Sequence, residues 1–297
     1  MKVNATMLRL ARLGPPVASF LIAFLLLCPV RARAQFMGRQ TGCYADEIKN
    51  NPGGHAVPKI QNNPNRPTVA NPADITQYGI LELEYGWDHG WPASSQTFTD
   101  TGGLLKFGLL CDVELRWTTT SFLSQTASTG TQAGFGDNWI GAQIRFYRQT
   151  AHVPSIALSY AVKIPSASFA KGLGSGRVDH QLTLLLSKDI LGVHLDVNAS
   201  DLFIGRPGTT GFDQNAQFNF AFSHSLYKTL QIQGELYGST RLNAATPAFA
   251  SGLAALVWNV TPRLEIDAGL DTGMTNGAPR RRIFAGFTYS IANLYRR

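Results

Sequence analysis

Charged side chains are scarce in this chain. They make up 15% of its 297 residues, where about a quarter is usual for a soluble domain. Long apolar runs are missing too. After residue 34 no stretch approaches the roughly 20 apolar residues that a membrane-crossing helix needs, which excludes a helical inner-membrane protein. The six histidines show no ligand spacing, so no metal site is expected. Gly172-Leu173-Gly174-Ser175-Gly176 is followed by neither Lys-Ser/Thr nor a helical pattern. It is therefore an exposed loop rather than a phosphate loop, and no cofactor is expected.

The basic surplus is also less than it looks. Of the 26 Lys and Arg residues, five (Lys2, Arg9, Arg12, Arg31, Arg33) lie in the first 34 positions, which leaves 21 against 19 acids. A nucleic-acid partner needs a basic face, and this one mostly disappears on export. Residues 1–34 read as a cleaved signal peptide, with a basic start, an apolar stretch over 17–30 and the small-x-small site Ala32-Arg33-Ala34. Cleavage leaves two cysteines, Cys43 and Cys111. The exported compartment is oxidising, so they form either a disulfide or two unpaired thiols.

What is present is alternation. In Gln217-Phe218-Asn219-Phe220-Ala221-Phe222-Ser223 large rings face one way and small or polar residues the other. This is the period of a strand whose two faces meet different media. Twelve such segments follow residue 74, over 75–87, 102–109, 113–121, 136–148, 153–163, 179–187, 192–203, 213–225, 229–240, 249–259, 263–273 and 282–291. Their connections alternate between short turns and long loops rich in Gly, Ser, Thr and Asn. The pattern predicts an all-β fold, a single antiparallel transmembrane β-barrel of about 12 strands over residues 75–297. Short turns fall in the periplasm and long loops outside the cell. Trp117, Trp139, Trp258 and Tyr289 lie near strand ends, where aromatic girdles belong. Residues 35–74, rich in Pro, Asn, Gly and Gln, cannot build an apolar core. They read as a flexible periplasmic arm, with a plug inside the barrel as the alternative.

Several segments resemble an outer-membrane family labelled after the MetA pathway of phenol degradation. They are Lys106-Phe107-Gly108 through Glu114-Leu115-Arg116, and Gly134-Phe135-Gly136-Asp137 with Gly141 and Arg145. Further matches are Pro154-Ser155-Ile156-Ala157-Leu158-Ser159-Tyr160, Gly174-Ser175-Gly176-Arg177-Val178-Asp179, Gly234-Glu235-Leu236-Tyr237 and Phe284-Ala285-Gly286-Phe287-Thr288-Tyr289. The likeness covers about 75–291. One departure is that the chain runs on past the last strand through Asn293-Leu294-Tyr295. The resemblance implies a bacterial outer-membrane transporter for aromatic or other hydrophobic compounds, with outer-membrane lipid and the assembly machinery as partners.

The expected alternation turns Glu82, Glu84, Lys106, Glu114, Arg116, Arg145, Lys163, Asp196, Glu235, Glu265 and Asp267 away from lipid. A Lys or Arg facing lipid at the midplane would cost about 2–4 kcal/mol. These charges either tune what passes through a polar lumen or pair with one another and fill a narrow barrel. The functional expectation is passive uptake of small hydrophobic or aromatic solutes. A non-conducting scaffold or adhesion barrel is the alternative, and a lipid-modifying enzyme the remote one. Adjacent Asp179 and His180 point to opposite faces of a strand, which is poor geometry for a triad with Ser175, so no catalytic residues are assigned.

Overall fold

The computed structural model describes residues 59–92, 97–243 and 246–295. Thirteen strands run in chain order: β1 Ile80–Trp91, β2 Thr97–Leu110, β3 Val113–Ala127, β4 Gly130–Gly134, β5 Asn138–Tyr147, β6 Ser155–Ile164, β7 Asp179–Ile190, β8 Val193–Gly205, β9 Phe212–Tyr227, β10 Leu230–Ser239, β11 Phe249–Thr261, β12 Leu264–Gly273 and β13 Arg281–Asn293. Neighbours pair antiparallel, and β1 pairs with β13 as well as with β2, so the sheet closes on itself. Strands β4 and β5 both return along β3, β4 on its outer half and β5 on its inner half. They form one stave interrupted at Phe135-Gly136-Asp137, which gives a closed barrel of twelve staves.

The alternation seen in the sequence is the alternation of the wall. Leu115, Trp117, Ile140, Phe218, Phe220, Phe222, Leu256, Trp258, Ile266 and Leu270 are exposed on the outside. Small, polar and charged residues fill the inside. Closure pairs β1 with β13 and so removes the free sheet edges that hydrocarbon would not tolerate; only the short β4, toward the long-loop end, pairs on one side alone. Nine of the twelve strands expected from the sequence lie within three residues of the observed ones at both ends, and the first three differ by five or six residues at one end. The turn between β7 and β8 falls at Leu191-Gly192, with φ of 52° and 81°. Positive φ at both central residues lets a two-residue turn follow the right-handed twist of the strands. Beyond β13, the Tyr295 ring lies tilted against Tyr78 at 4.8 Å and edge-on to Phe107 at 5.4 Å, and its hydroxyl donates to the Leu109 carbonyl. An aromatic clasp thus lies over the seam, past the end of the last strand.

Residues 59–79 run inside the barrel. Asn65, Pro67, Ala70, Pro72, Ala73, Ile75 and Thr76 are buried there. The expected flexible arm is corrected over 59–74: this stretch is a bound plug, and residues 35–58 lie outside the described residues. The first stave accordingly starts at Ile80, not Ile75, after Gly79 turns the chain at φ 78°. A segment with little apolar content cannot fold on oil-like contacts. It does fold where a ring of polar side chains satisfies its backbone.

Cys111 sits in the turn between β2 and β3 and is disulfide-bonded. Cys43, its expected partner, lies outside the described residues. Peptide mapping of the unreduced mature protein is expected to recover a linked Cys43–Cys111 peptide, and two thiols open to alkylation would refute the pairing.

Candidate functional site

The plug is held from almost every side of the wall. On β1, Glu82 accepts the Asn63 N–H at 2.9 Å, and the two Glu84 oxygens accept the Asn65 and Arg66 N–H groups, each at 2.9 Å. On β10, Glu235 accepts the Val69 and Ala70 N–H groups, each at 2.7 Å. On β3, Glu114 accepts the Thr76 N–H at 2.6 Å. Asn198 on β8 accepts from the Asn71 N–H at 2.7 Å and donates to its carbonyl at 2.9 Å. Ser187 on β7 accepts the Ala73 N–H at 2.7 Å, and Gln143 on β5 donates to the Pro72 carbonyl at 3.0 Å. A barrel interior offers a backbone segment no sheet to join, so carboxylates stand in for strand carbonyls. Hydrogen bonds to a charged acceptor are roughly twice as strong as neutral ones.

Cations complete the network. Lys106, wholly buried, reaches Glu82 at 2.8 Å and Glu84 at 2.6 Å. Its ammonium also donates to Asn65 Oδ1 at 2.8 Å and to the Asn63 carbonyl. Arg66 of the plug forms a two-bond fork with Asp267 on β12, at 2.9 and 3.0 Å. Arg145 on β5 binds Asp74 of the plug at 2.7 Å and Asp112 at 2.9 Å. Arg116 lies 3.3 Å from Glu114 and donates to Gln143 at 2.9 Å. Asp196 accepts from Ser187 at 2.5 Å and lies 3.3 Å from His194 Nε2.

All eleven charged residues singled out in the sequence thus point into the barrel, and seven of them touch the plug directly: Glu82, Glu84, Lys106, Glu114, Arg145, Glu235 and Asp267. Arg116 and Asp196 act one contact removed. Lys163 does not reach the plug. It lies toward the long-loop end, bound to Asp179 at 2.5 Å, Ser175 at 2.9 Å and Asp137 at 3.4 Å. Asp137 also accepts the Ala167 N–H at 2.9 Å. The loop over 165–178 is thereby tied to three staves. Glu265 is buried on β12, and its Oε1 has no hydrogen-bond partner among the described residues. Of the Ser175, Asp179 and His180 trio, Asp179 faces inward onto Lys163. His180 lies on the outer face, bonded to the Tyr160 hydroxyl at 2.8 Å.

Two glycines make room for the Arg66 guanidinium. Gly86 of β1 and Gly286 of β13 lie opposite each other across the seam. A Cβ at Gly86 would fall 2.3 Å from Arg66 Nη1, and one at Gly286 would fall 2.4 Å from Arg66 Nε. Gly286→Val is therefore expected to push the guanidinium off Asp267 and loosen the plug tip. The readout is faster protease cleavage within 63–70 in the folded, detergent-solubilised protein. Wild-type cleavage rates would refute the arrangement.

Two cavities flank the plug tip, and Arg66 and Thr68 line both. The larger, about 500 Å³, is bounded by Glu84, Asp88, Asp100, Arg116 and Trp139, with Leu104 and Leu202 as apolar patches. The smaller, about 250 Å³, lies between the plug and the wall formed by β8 to β12 and is polar. Trp139 corrects an expectation. It pairs in register with Thr118 and Lys163 and lines the larger cavity, whereas Trp117, Trp258 and Tyr289 are exposed on the outside. The signal was present in the sequence: Trp139 shares parity with Gly141, Gln143 and Arg145, the inward face of its strand. The sequence reading also passed over Asp88, Asp271 and Arg282, where Arg282 lies 3.2 Å from Asp271 and 3.6 Å from Asp88. Among the described residues no three His, Cys, Asp or Glu side chains gather as a metal site.

A closed, lipid-facing barrel with a polar, internally plugged lumen is an outer-membrane β-barrel. More specifically, the chain belongs to the family described as "Putative MetA-pathway of phenol degradation", whose profile matches residues 45–291. Among solved structures, an outer membrane channel from Pseudomonas putida F1 superposes with a TM-score of 0.57 at 11% identity, covering 80% of this chain and 99% of that one. The beta domain of a Bordetella autotransporter reaches a TM-score of 0.49 at 8% identity, over 72% of this chain and 100% of that one. The CymD monoaromatic hydrocarbon channel gives 0.42 at 8% identity, over 74% of this chain and 90% of that one. At 11% identity the likeness to the Pseudomonas putida F1 channel is one of fold. No curated protein matches the sequence.

Proposed function

We propose that this protein sits in the bacterial outer membrane, assembled there by the barrel-assembly machinery. It admits small hydrophobic or aromatic solutes passively, with the larger cavity as their receiving chamber and the plug tip as the barrier beyond it. The observation that carries this reading is the pairing of a roughly 500 Å³ chamber with a barrier built of reversible hydrogen bonds. That volume falls in the usual range for small-molecule sites. Trp139, Leu104 and Leu202 offer an apolar strip to a ring, while threonines and charges hold the rest of the wall wet. Membership in a family named for phenol degradation supports an aromatic cargo. The charges of the lumen act here through the plug: they hold the barrier and so decide what passes.

The test is flux into proteoliposomes with a panel of single-ring aromatics and of sugars of matched size. Faster entry of the aromatics, diminished in Trp139→Ala, supports the reading. Sugars entering as fast as aromatics would replace it with a general pore. No flux of either would leave the scaffold alternative standing.

A further inference from the structure

Glu265 on β12 is the one member of the inward charged set without a partner. It is buried, its Oε1 has no hydrogen-bond partner, and no ion pair reaches it among the described residues. It lines the smaller cavity together with Asn62, Arg66, Asp196, Gln233 and Asn259. Asn62 Nδ2 is likewise enclosed and unpartnered. Arg66 does not neutralise Glu265, because its guanidinium is committed to Asp267 by two bonds. Lys106 is committed to Glu82 and Glu84. Asp196 adds a second carboxylate on the far wall, shared with Ser187 and His194.

A carboxylate held away from water requires either a counter-charge or a proton. The chamber beside Glu265 measures about 250 Å³, enough for an ion and several waters at about 30 Å³ each. Its walls are rich in amide oxygens, which are hard ligands suited to hard cations. Three converging carboxylate or imidazole ligands, as a tightly held divalent metal would want, are not gathered there.

We propose that this chamber binds one small monovalent cation, sodium or potassium with part of its water shell, and that Glu265 is its charged ligand. The cation bridges plug and wall where the side-chain network leaves a charge unmatched. It stabilises the plugged state and is separate from the solute chamber above.

The experiment compares heat-denaturation midpoints of the mature protein in detergent, in equal concentrations of sodium, potassium or choline chloride. Choline matches the ionic strength, but its charge is shrouded by methyl groups and cannot take the close oxygen coordination that a small hard cation takes. The wild-type midpoint is expected to be about 3 °C higher with sodium or potassium than with choline, by the linkage of binding to stability. Glu265→Gln, close in shape, is expected to be indifferent to the exchange. Equal wild-type midpoints in all three salts would overturn the proposal. So would a midpoint that follows pH and ignores the salt, because Glu265 would then hold a proton. A Glu265→Gln protein that keeps the full salt response would place the site elsewhere and overturn it too. Should that variant not fold, thallium(I) in wild-type crystals gives an independent reading: an anomalous peak beside Glu265 is expected, and its absence overturns the assignment. The midpoints are read with no solute present, so either result stands apart from the outcome of the flux assay.

Discussion

Lys106→Ala is expected to destabilise the folded barrel by about 3–5 kcal/mol, the usual cost of removing one partner from a buried ionic group. The ammonium is wholly enclosed and lies within 2.8 Å of both Glu82 and Glu84. Without it two carboxylates remain side by side in a space that water reaches poorly. The loss also cuts two bonds to the plug, at Asn63 and Asn65, so the tip should loosen as the barrel weakens. Urea unfolding in lipid vesicles, followed by tryptophan fluorescence, measures the effect. A companion triple variant, Lys106→Met with Glu82→Gln and Glu84→Gln, removes all three charges together. It is expected to recover much of the loss, because well-packed neutral side chains commonly equal a buried ion pair. If Lys106→Ala stays within 1 kcal/mol of the wild type, the cluster is far wetter than its burial indicates.

Removing residues 59–74 is expected to raise single-channel conductance in planar bilayers by roughly an order of magnitude, since an unplugged twelve-stave barrel has an open, modest lumen. The wall is expected to survive, because the carboxylates that lose their backbone donors gain water in the same step. A gentler version, Glu84→Ala with Glu235→Ala, removes the four N–H contacts to the tip at Asn65, Arg66, Val69 and Ala70 and should give an intermediate rise. Conductance unchanged by the deletion, in protein that still shows the heat-modifiable mobility of a folded barrel, would mean that the plug is not the barrier.

The staves were legible because a lipid-facing barrel writes its environment into every second residue. Phe218, Phe220 and Phe222 against Asn219 and Ala221 are enough to place one stave. The plug was not legible for the same reason. Its donors are mostly its own backbone N–H groups, which carry no residue code, and the acceptors lie far along the chain: Glu235 is 166 residues from Val69, and Asp267, which takes the Arg66 side chain, is 201 from Arg66. Composition rightly said that 59–74 could build no apolar core, but the interior it joins is polar. The inward charges were found by parity alone. What they bind was not, because parity gives a direction and not a partner. Trp139 shows the opposite slip, in which a rule about aromatic girdles displaced the parity of its own strand.

Alternation of greasy and polar residues guards a stave against sliding by one position, since every side chain would then face the wrong medium. It is blind to a slide of two, which restores the same faces. The carboxylates that grip the plug are not blind to it. A two-residue slide moves each of them about 7 Å along the stave, out of reach of the N–H it accepts. The segment threaded through the lumen therefore serves as a ruler: its backbone marks the height at which β1, β3 and β10 have to stop.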